Sequence, residues 1–142
     1  MSLERFCRPV VTTHVDEPVA AAAKKLRDQR VGCLIVDREG RPFGILTDRD
    51  LAIRVLADGL DPLTARVGDV ATIDPIVVRE SEGIATAARR MREHGIRRLP
   101  VVDDRGRTKG IVSADDLVRM IGSELGDLAG GLEASTDATD SR

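Results

Sequence analysis

Two hydroxyl–carboxylate pairs recur at fixed spacing in this chain. Thr47 and Asp50 lie in the octet GILTDRDL, residues 44–51. Ser113 and Asp116 lie in GIVSADDL, residues 110–117, 66 positions later. Two kinds of chemistry use this pattern. A hydroxyl followed three residues on by an acid is close to a capping box, with Asp in place of the usual Glu or Gln. The hydroxyl accepts a backbone N–H at a helix start, and acids in the first turn suit the helix dipole. The same geometry also suits a ligand, because free N–H groups and the positive helix end attract a phosphate to which the hydroxyl can donate. An Asp repels phosphate but accepts hydrogen bonds from two ribose hydroxyls, so the pair matches a nucleoside phosphate better than a bare anion. A helix end that binds a ligand still needs a cap, so the two readings are compatible. The copies differ just before the acid: Arg49 adds a cation beside the phosphate, whereas Asp115 opposes one. Gly44 and Gly110 open the octets, where a missing side chain lets ligand or backbone approach closely. We expect two unequal sites, the first being the better phosphate site.

Little else in the chain offers reactive chemistry. Cys7 and Cys33 form no CxxC or other metal-ligand spacing, and His14 and His94 are not spaced with them. No metal site is expected. No nucleophile–base pair and no Walker-type loop occurs, so the chain reads as a non-enzyme. Charged residues make up 32% of the chain but nearly balance, at a net charge of −2. That leaves no electrostatic footprint for nucleic acid, and two Phe with no Trp or Tyr leave no platform for stacking bases. No apolar run approaches the roughly 20 residues of a membrane span, and the N-terminus lacks a signal-peptide pattern. A soluble cytoplasmic protein with reduced thiols is the expectation.

The elements that must position the octets repeat as well. Val19, Ala22, Ala23 and Leu26 follow the spacing of one helix face, and Ile84, Ala87, Ala88 and Met91 echo it 65 positions later. Gly32 and Gly95 follow these helices as terminators. Next come paired apolar runs around Asp37-Arg38-Glu39-Gly40 and Asp103-Asp104-Arg105-Gly106, which predict β-hairpins. A β-rich stretch precedes each helix: Val10-Val11-Thr12 and Ile76-Val77-Val78. Each half is therefore β-α-β-β-α. The change of offset from 65 to 66 marks a one-residue insertion near the second strand. The fold class is α/β (α+β), with two such repeats at 5–62 and 63–124 packed pseudo-symmetrically through their sheets, since about 60 residues bury too little surface alone. Residues 125–142 read as a partly disordered tail in which Leu125, Leu128 and Leu132 could extend a final helix.

This order of elements, with GILTDRDL, GIVSADDL, HGIRRLPVVDDRG (94–106) and ADGLDP before the second repeat, resembles a tandem pair of CBS domains, the cystathionine-β-synthase type, also called a Bateman module. The resemblance covers roughly residues 5 to 124. It departs from the family's pattern where Phe6-Cys7-Arg8 and Val70-Ala71-Thr72 stand for a Val-Met-Thr-like approach to each repeat. It implies a regulatory signal-transduction module that binds an adenosyl ligand (AMP, ADP, ATP, NAD or S-adenosylmethionine) and pairs into disc-like homodimers. By the family's pattern, adenine meets backbone edges at Val11, Thr12 and Thr13 and at Val77, Val78 and Arg79. The strands after the first helices contribute Val31, Gly32, Cys33 and Leu34, and Ile96, Arg97, Arg98 and Leu99. Arg97 and Arg98 either reach a phosphate, compensating in part for Asp115, or form an ion-paired surface. The downstream protein target is not readable. Two alternatives stay open: a structural dimerisation module with degenerate sites, and a thiol redox sensor using Cys7 and Cys33, although Cys33 reads better as a small core residue. Lys24, Lys25, Arg89 and Arg90 are expected on wet helix faces.

Overall fold

The computed structural model describes residues 2–140. After a short 3-10 turn at Leu3–Phe6, the first repeat runs β1 (Thr12–Thr13), α1 (Val19–Gln29), β2 (Cys33–Arg38), β3 (Arg41–Thr47) and α2. Helix α2 is one turn, Asp48–Asp50, that continues as a π-helix over Leu51–Ala57. A connector carries α3 (Val67–Val70) and β4 (Thr72–Ile73). The second repeat is β5 (Val78–Arg79), α4 (Ile84–His94), β6 (Arg98–Val102), β7 (Thr108–Ser113) and α5 (Ala114–Asp140). The fold is mixed α+β, with a four-stranded sheet in the order β1-β2-β3-β4 and a three-stranded sheet in the order β5-β6-β7.

The apolar stripes do what their spacing demands, but on narrower faces. Val19, Ala22 and Leu26 of α1 and Ala87 and Met91 of α4 are buried, while Ala23 and Ala88 face outward. Helix α4 ends as expected on Gly95 in the left-handed conformation, φ 63°. Helix α1 does not end on Gly32: the left-handed cap is Arg30, φ 54°, whose N–H bonds the carbonyls of Leu26 and Arg27. In the hairpins Cys33 pairs with Thr47 and Val36 with Gly44, while Arg98 pairs with Ser113 and Val101 with Gly110. The offset therefore rises from 65 to 66 between β6 and β7, so the extra residue lies in the second hairpin's turn. The first turn has φ > 0 at both Glu39 and Gly40, a twist that matches the flanking strands.

Two apolar cores form, and each takes a segment from outside its own repeat. Leu3 and Phe6 complete the core of Val78, Leu99, Val101, Val112 and Leu117. Val67 and Val70 complete that of Val19, Leu34, Val36, Leu46 and Val55. The backbone agrees: Arg8 and Ile111 exchange hydrogen bonds of 2.9 and 3.0 Å, and β4 pairs with β3 at Gly44 and Ile45. A division of the chain at 62/63 cuts across this arrangement, because each approach strand joins the other repeat's hairpin.

Helix α5 spans 27 residues and keeps Leu125, Leu128 and Leu132 largely exposed. Its backbone is helical as far as Asp140, where the composition suggests partial disorder. Among the described residues no helix is long and apolar enough to cross a membrane.

Candidate functional site: two clefts between the repeats

Each octet runs from the end of its repeat's last hairpin strand, β3 or β7, into a helix, and a backbone hydrogen bond ties it to its own repeat's first helix exit. The Asp48 N–H donates to the Gly32 carbonyl at 3.2 Å, and the Ala114 N–H donates to the Arg97 carbonyl at 2.8 Å. At the first octet the capping box is complete. Thr47 Oγ1 accepts the Asp50 N–H at 3.1 Å, and Asp50 Oδ2 accepts the Thr47 N–H at 2.9 Å. At the second, Ser113 Oγ accepts the Asp116 N–H at 3.1 Å, while the Asp116 carboxylate turns to Arg8 at 2.8 Å.

The octets open onto two clefts, each built from both repeats. The Asp116 cleft, of about 230 Å³, sets Ser113, Asp116 and Ile111 against Val11, Val31, Gly32, Cys33 and Ile35 of the first repeat. Arg8, Arg30 and Arg98 supply its positive charge. The Asp50 cleft, of about 280 Å³, sets Ile45, Thr47, Arg49, Asp50 and Thr72 against Ile96, Arg97 and Arg98 of the second repeat. Both volumes lie just below the usual range of small-molecule sites, about 300 Å³ and upward, and each cleft combines an aliphatic wall, an acid and cations. Arg97 pairs with Asp115 at the surface, where both side chains are largely exposed.

Several residues expected at the site lie elsewhere. Leu34, Leu99 and Val78 are fully buried in the cores. Thr13 is buried and donates to Glu17 at 3.0 Å, and the Thr12 carbonyl accepts from Lys25 at 3.1 Å. The Val77 carbonyl accepts from Arg90 at 2.9 Å, and the Arg79 N–H donates to Glu82 at 2.8 Å, so this stretch borders a separate groove. For residues 77–79 the reason is register. Thr13 faces Val36 and Val78 faces Val101, so the counterpart of Val11–Thr13 is 76–78, one residue earlier than expected. The octet glycines admit backbone rather than ligand. A Cβ on Gly44 would sit 2.9 Å from the Thr72 carbonyl oxygen, and one on Gly110 would collide with Cys7 Sγ and the Arg8 carbonyl oxygen.

Arg8 and Arg30 escape sequence reasoning, because their arrival depends on the exchanged approach strand and on the cap of α1. Ile45 and Ile111 were within its reach, since they alternate with Leu46 and Val112, which point to the cores. Lys25 and Arg90 are half-buried rather than wet. Lys25 holds Glu17 at 2.9 Å, and Arg90 grips Glu82 through both nitrogens at 2.7 and 2.8 Å. The Arg90 bonds hold the Glu82 carboxyl below its ordinary range. For Glu17, burial pushes upward but is outweighed by the hydrogen bonds from Lys25 and Thr13. Burial raises the Cys33 thiol, with Arg98 pulling it down and Asp48 pushing it up; burial, then Glu80, raises Cys7. Both thiols are free. Among the described residues no group of three or more His, Cys, Asp or Glu is placed to hold a metal ion.

The CBS domain model matches residues 4–57 and 67–123. The chain belongs to the CBS domain family. This CBS pair is 39% identical over 106 residues to hypoxic response protein 1 of Mycobacterium tuberculosis, covering 74% of this chain and 73% of that protein. It is 36% identical over 114 residues to an uncharacterized protein of Methanopyrus kandleri, covering 80% of this chain but 58% of that longer one. Among solved structures, CBS domain protein PAE2072 from Pyrobaculum aerophilum, complexed with AMP, superposes with a TM-score of 0.77 at 30% identity over 89% of this chain and 99% of that one. The CBS domain pair of protein MJ0100, in complex with 5′-methylthioadenosine and S-adenosyl-L-methionine, gives 0.77 at 28% identity over 87% and 98%.

Proposed function

We propose that this CBS pair is a non-catalytic regulatory module that binds an adenine nucleotide in the clefts between its repeats. The observation that carries the reading is the composite make-up of each cleft: the octet of one repeat meets the helix exit of the other. A bound nucleotide therefore bridges the repeats and can bias their arrangement through its differential affinity for the two states. Asp50 and Asp116 receive the ribose hydroxyls, Arg49 in one cleft and Arg8 in the other face the phosphate, and the aliphatic walls take adenine. The AMP complex of PAE2072 and the adenosyl complexes of MJ0100 support this ligand class.

The test is a thermal-shift and calorimetry panel with AMP, ADP, ATP, NAD and S-adenosylmethionine. A true ligand stabilises the fold by about 2.7 kcal/mol at about 100 times its Kd. If none binds below millimolar concentration, the sensor reading fails and a structural dimerisation module takes its place. Exposed Ile53 and Leu56 on the π-helix after α2, with Val118, Ile121 and Leu125 on α5, support self-association into a homodimer under either reading. Sedimentation would show it. The raised thiols argue against the redox reading, because the thiolate is the reactive form. Slow alkylation of both cysteines at neutral pH is expected, and the reduced protein is assigned to the cytoplasm.

A further inference from the structure

Arg98 belongs to both clefts. On β6 it pairs with Ser113 of β7, as Cys33 on β2 pairs with Thr47 of β3, so only the second repeat places a cation at this position. The guanidinium reaches over the first repeat: Nη2 lies 3.0 Å from the point a Gly32 Cβ would occupy, and Asp48 Oδ2 lies 3.7 Å from that same point. Its neighbour Arg97 is tied to Asp115, whereas Arg98 is exposed and forms no ion pair among the described residues.

We propose that Arg98 is a shared phosphate ligand that makes the two clefts compete for anionic nucleotides. This rests on the nucleotide-binding reading of the same clefts. The guanidinium is a single planar fork, and bidentate recognition of one phosphate commits it. The second nucleotide then meets a cleft without that cation, with the first ligand's negative charge close by. Salt screens charges only over about 8 Å at physiological ionic strength, so that charge is felt across a shared side chain. The effect is reciprocal: whichever cleft fills first weakens the other by the same factor. An uncharged nucleoside makes no claim on Arg98, and its two binding events are independent.

Calorimetry with AMP and with adenosine tests this on wild type, on Asp50→Ala and Asp116→Ala (each leaving one intact cleft), and on all three with Arg98→Ala added. The expected result is that Arg98→Ala weakens AMP about tenfold or more in both single-cleft proteins and leaves adenosine within about twofold. In wild type the second AMP binds about tenfold more weakly than the first, and Arg98→Ala narrows that gap to the difference that Arg49 and Arg8 set between the clefts. Arg98→Lys, which keeps the charge, restores part of the lost affinity. The proposal is overturned if Arg98→Ala weakens AMP in only one single-cleft protein, or weakens adenosine as much as AMP. If the single-cleft variants fail to fold, the gap between first and second AMP in wild type and in Arg98→Ala decides. Absence of AMP binding to wild type would instead sink the nucleotide reading itself.

Discussion

At the first octet the Asp50 carboxylate folds back on its own helix start, with Oδ2 taking the Thr47 N–H at 2.9 Å. At the second, the Asp116 carboxylate faces outward to Arg8 at 2.8 Å, and only the serine half of the box is closed. The spacing of hydroxyl and acid is the same in both. What differs is the strand lying alongside. The N-terminal segment pairs at Ile111 and brings Arg8 to the second octet. The corresponding position beside Ile45 is Thr72, which carries no charge. One short motif thus serves as a full cap in one repeat, with only a long 3.7 Å contact from Asp50 Oδ1 to Arg54 on its own helix, and as half cap, half ion pair to a distant strand in the other.

The largest expected difference between the octets concerns their leading glycines. Gly110→Ala must push Cys7 and the Arg8 backbone off β7, at about 3 kcal/mol. Gly44→Ala meets the Thr72 carbonyl oxygen at 2.9 Å, a smaller overlap, at about 1 kcal/mol. Urea unfolding of the two variants measures the gap, and equal costs would show that the approach strands sit equally close. Binding comes next. Asp50→Ala should weaken AMP in its own cleft about a hundredfold, and more than Asp116→Ala does in the other, since Asp50 also closes the helix end that presents Arg49. A reversed order would reassign the better site to the cleft that Arg8 enters. In the ligand-free protein, Thr47→Ala and Ser113→Ala should each cost about 1 kcal/mol as lost caps. Asp116→Ala should cost only a few tenths, because Arg8 is 63% exposed.

The smallest effect compares the two ion pairs behind the first helices. Glu82 is held below its ordinary value of 4.5 chiefly by the Arg90 hydrogen bonds. A carboxyl depressed in the folded state adds stability above its unfolded pKa and loses it as pH falls through the folded one. Stability should therefore drop below about pH 4.5, and Glu82→Gln should flatten that acid limb. Glu17→Gln should flatten it less, because Lys25 makes one bond where Arg90 makes two. Thermal melts from pH 3 to 7 would expose an inverted order.

Much of the fold is legible because its signals are local. The stripes of α1 and α4, the Gly40 turn and the capping residues each act within a few positions of the chain. The site is less so. Thr47, Asp50, Ser113 and Asp116 are readable because one repeat is printed twice. Val77, Val78 and Arg79 mislead because the offset between the repeats is 65 at that strand and 66 only beyond the hairpin turn. Gly44 and Gly110 are equally ambiguous on sequence, since a ligand and a neighbouring strand both call for a missing Cβ. Burial on both sides decides for the strand.

By itself the sequence determined two β-α-β-β-α units, the helix starts at each octet, and the difference between Arg49 and Asp115. These depend on periodicity, caps and residue identity, which short segments carry with them. Only the tertiary structure decided that Leu3 and Phe6 complete the second core, that Val67 and Val70 complete the first, and that Arg8 reaches Asp116. It also set Arg98 between the two clefts. Those contacts join residues tens of positions apart, and such distances close only when both cores exclude water together.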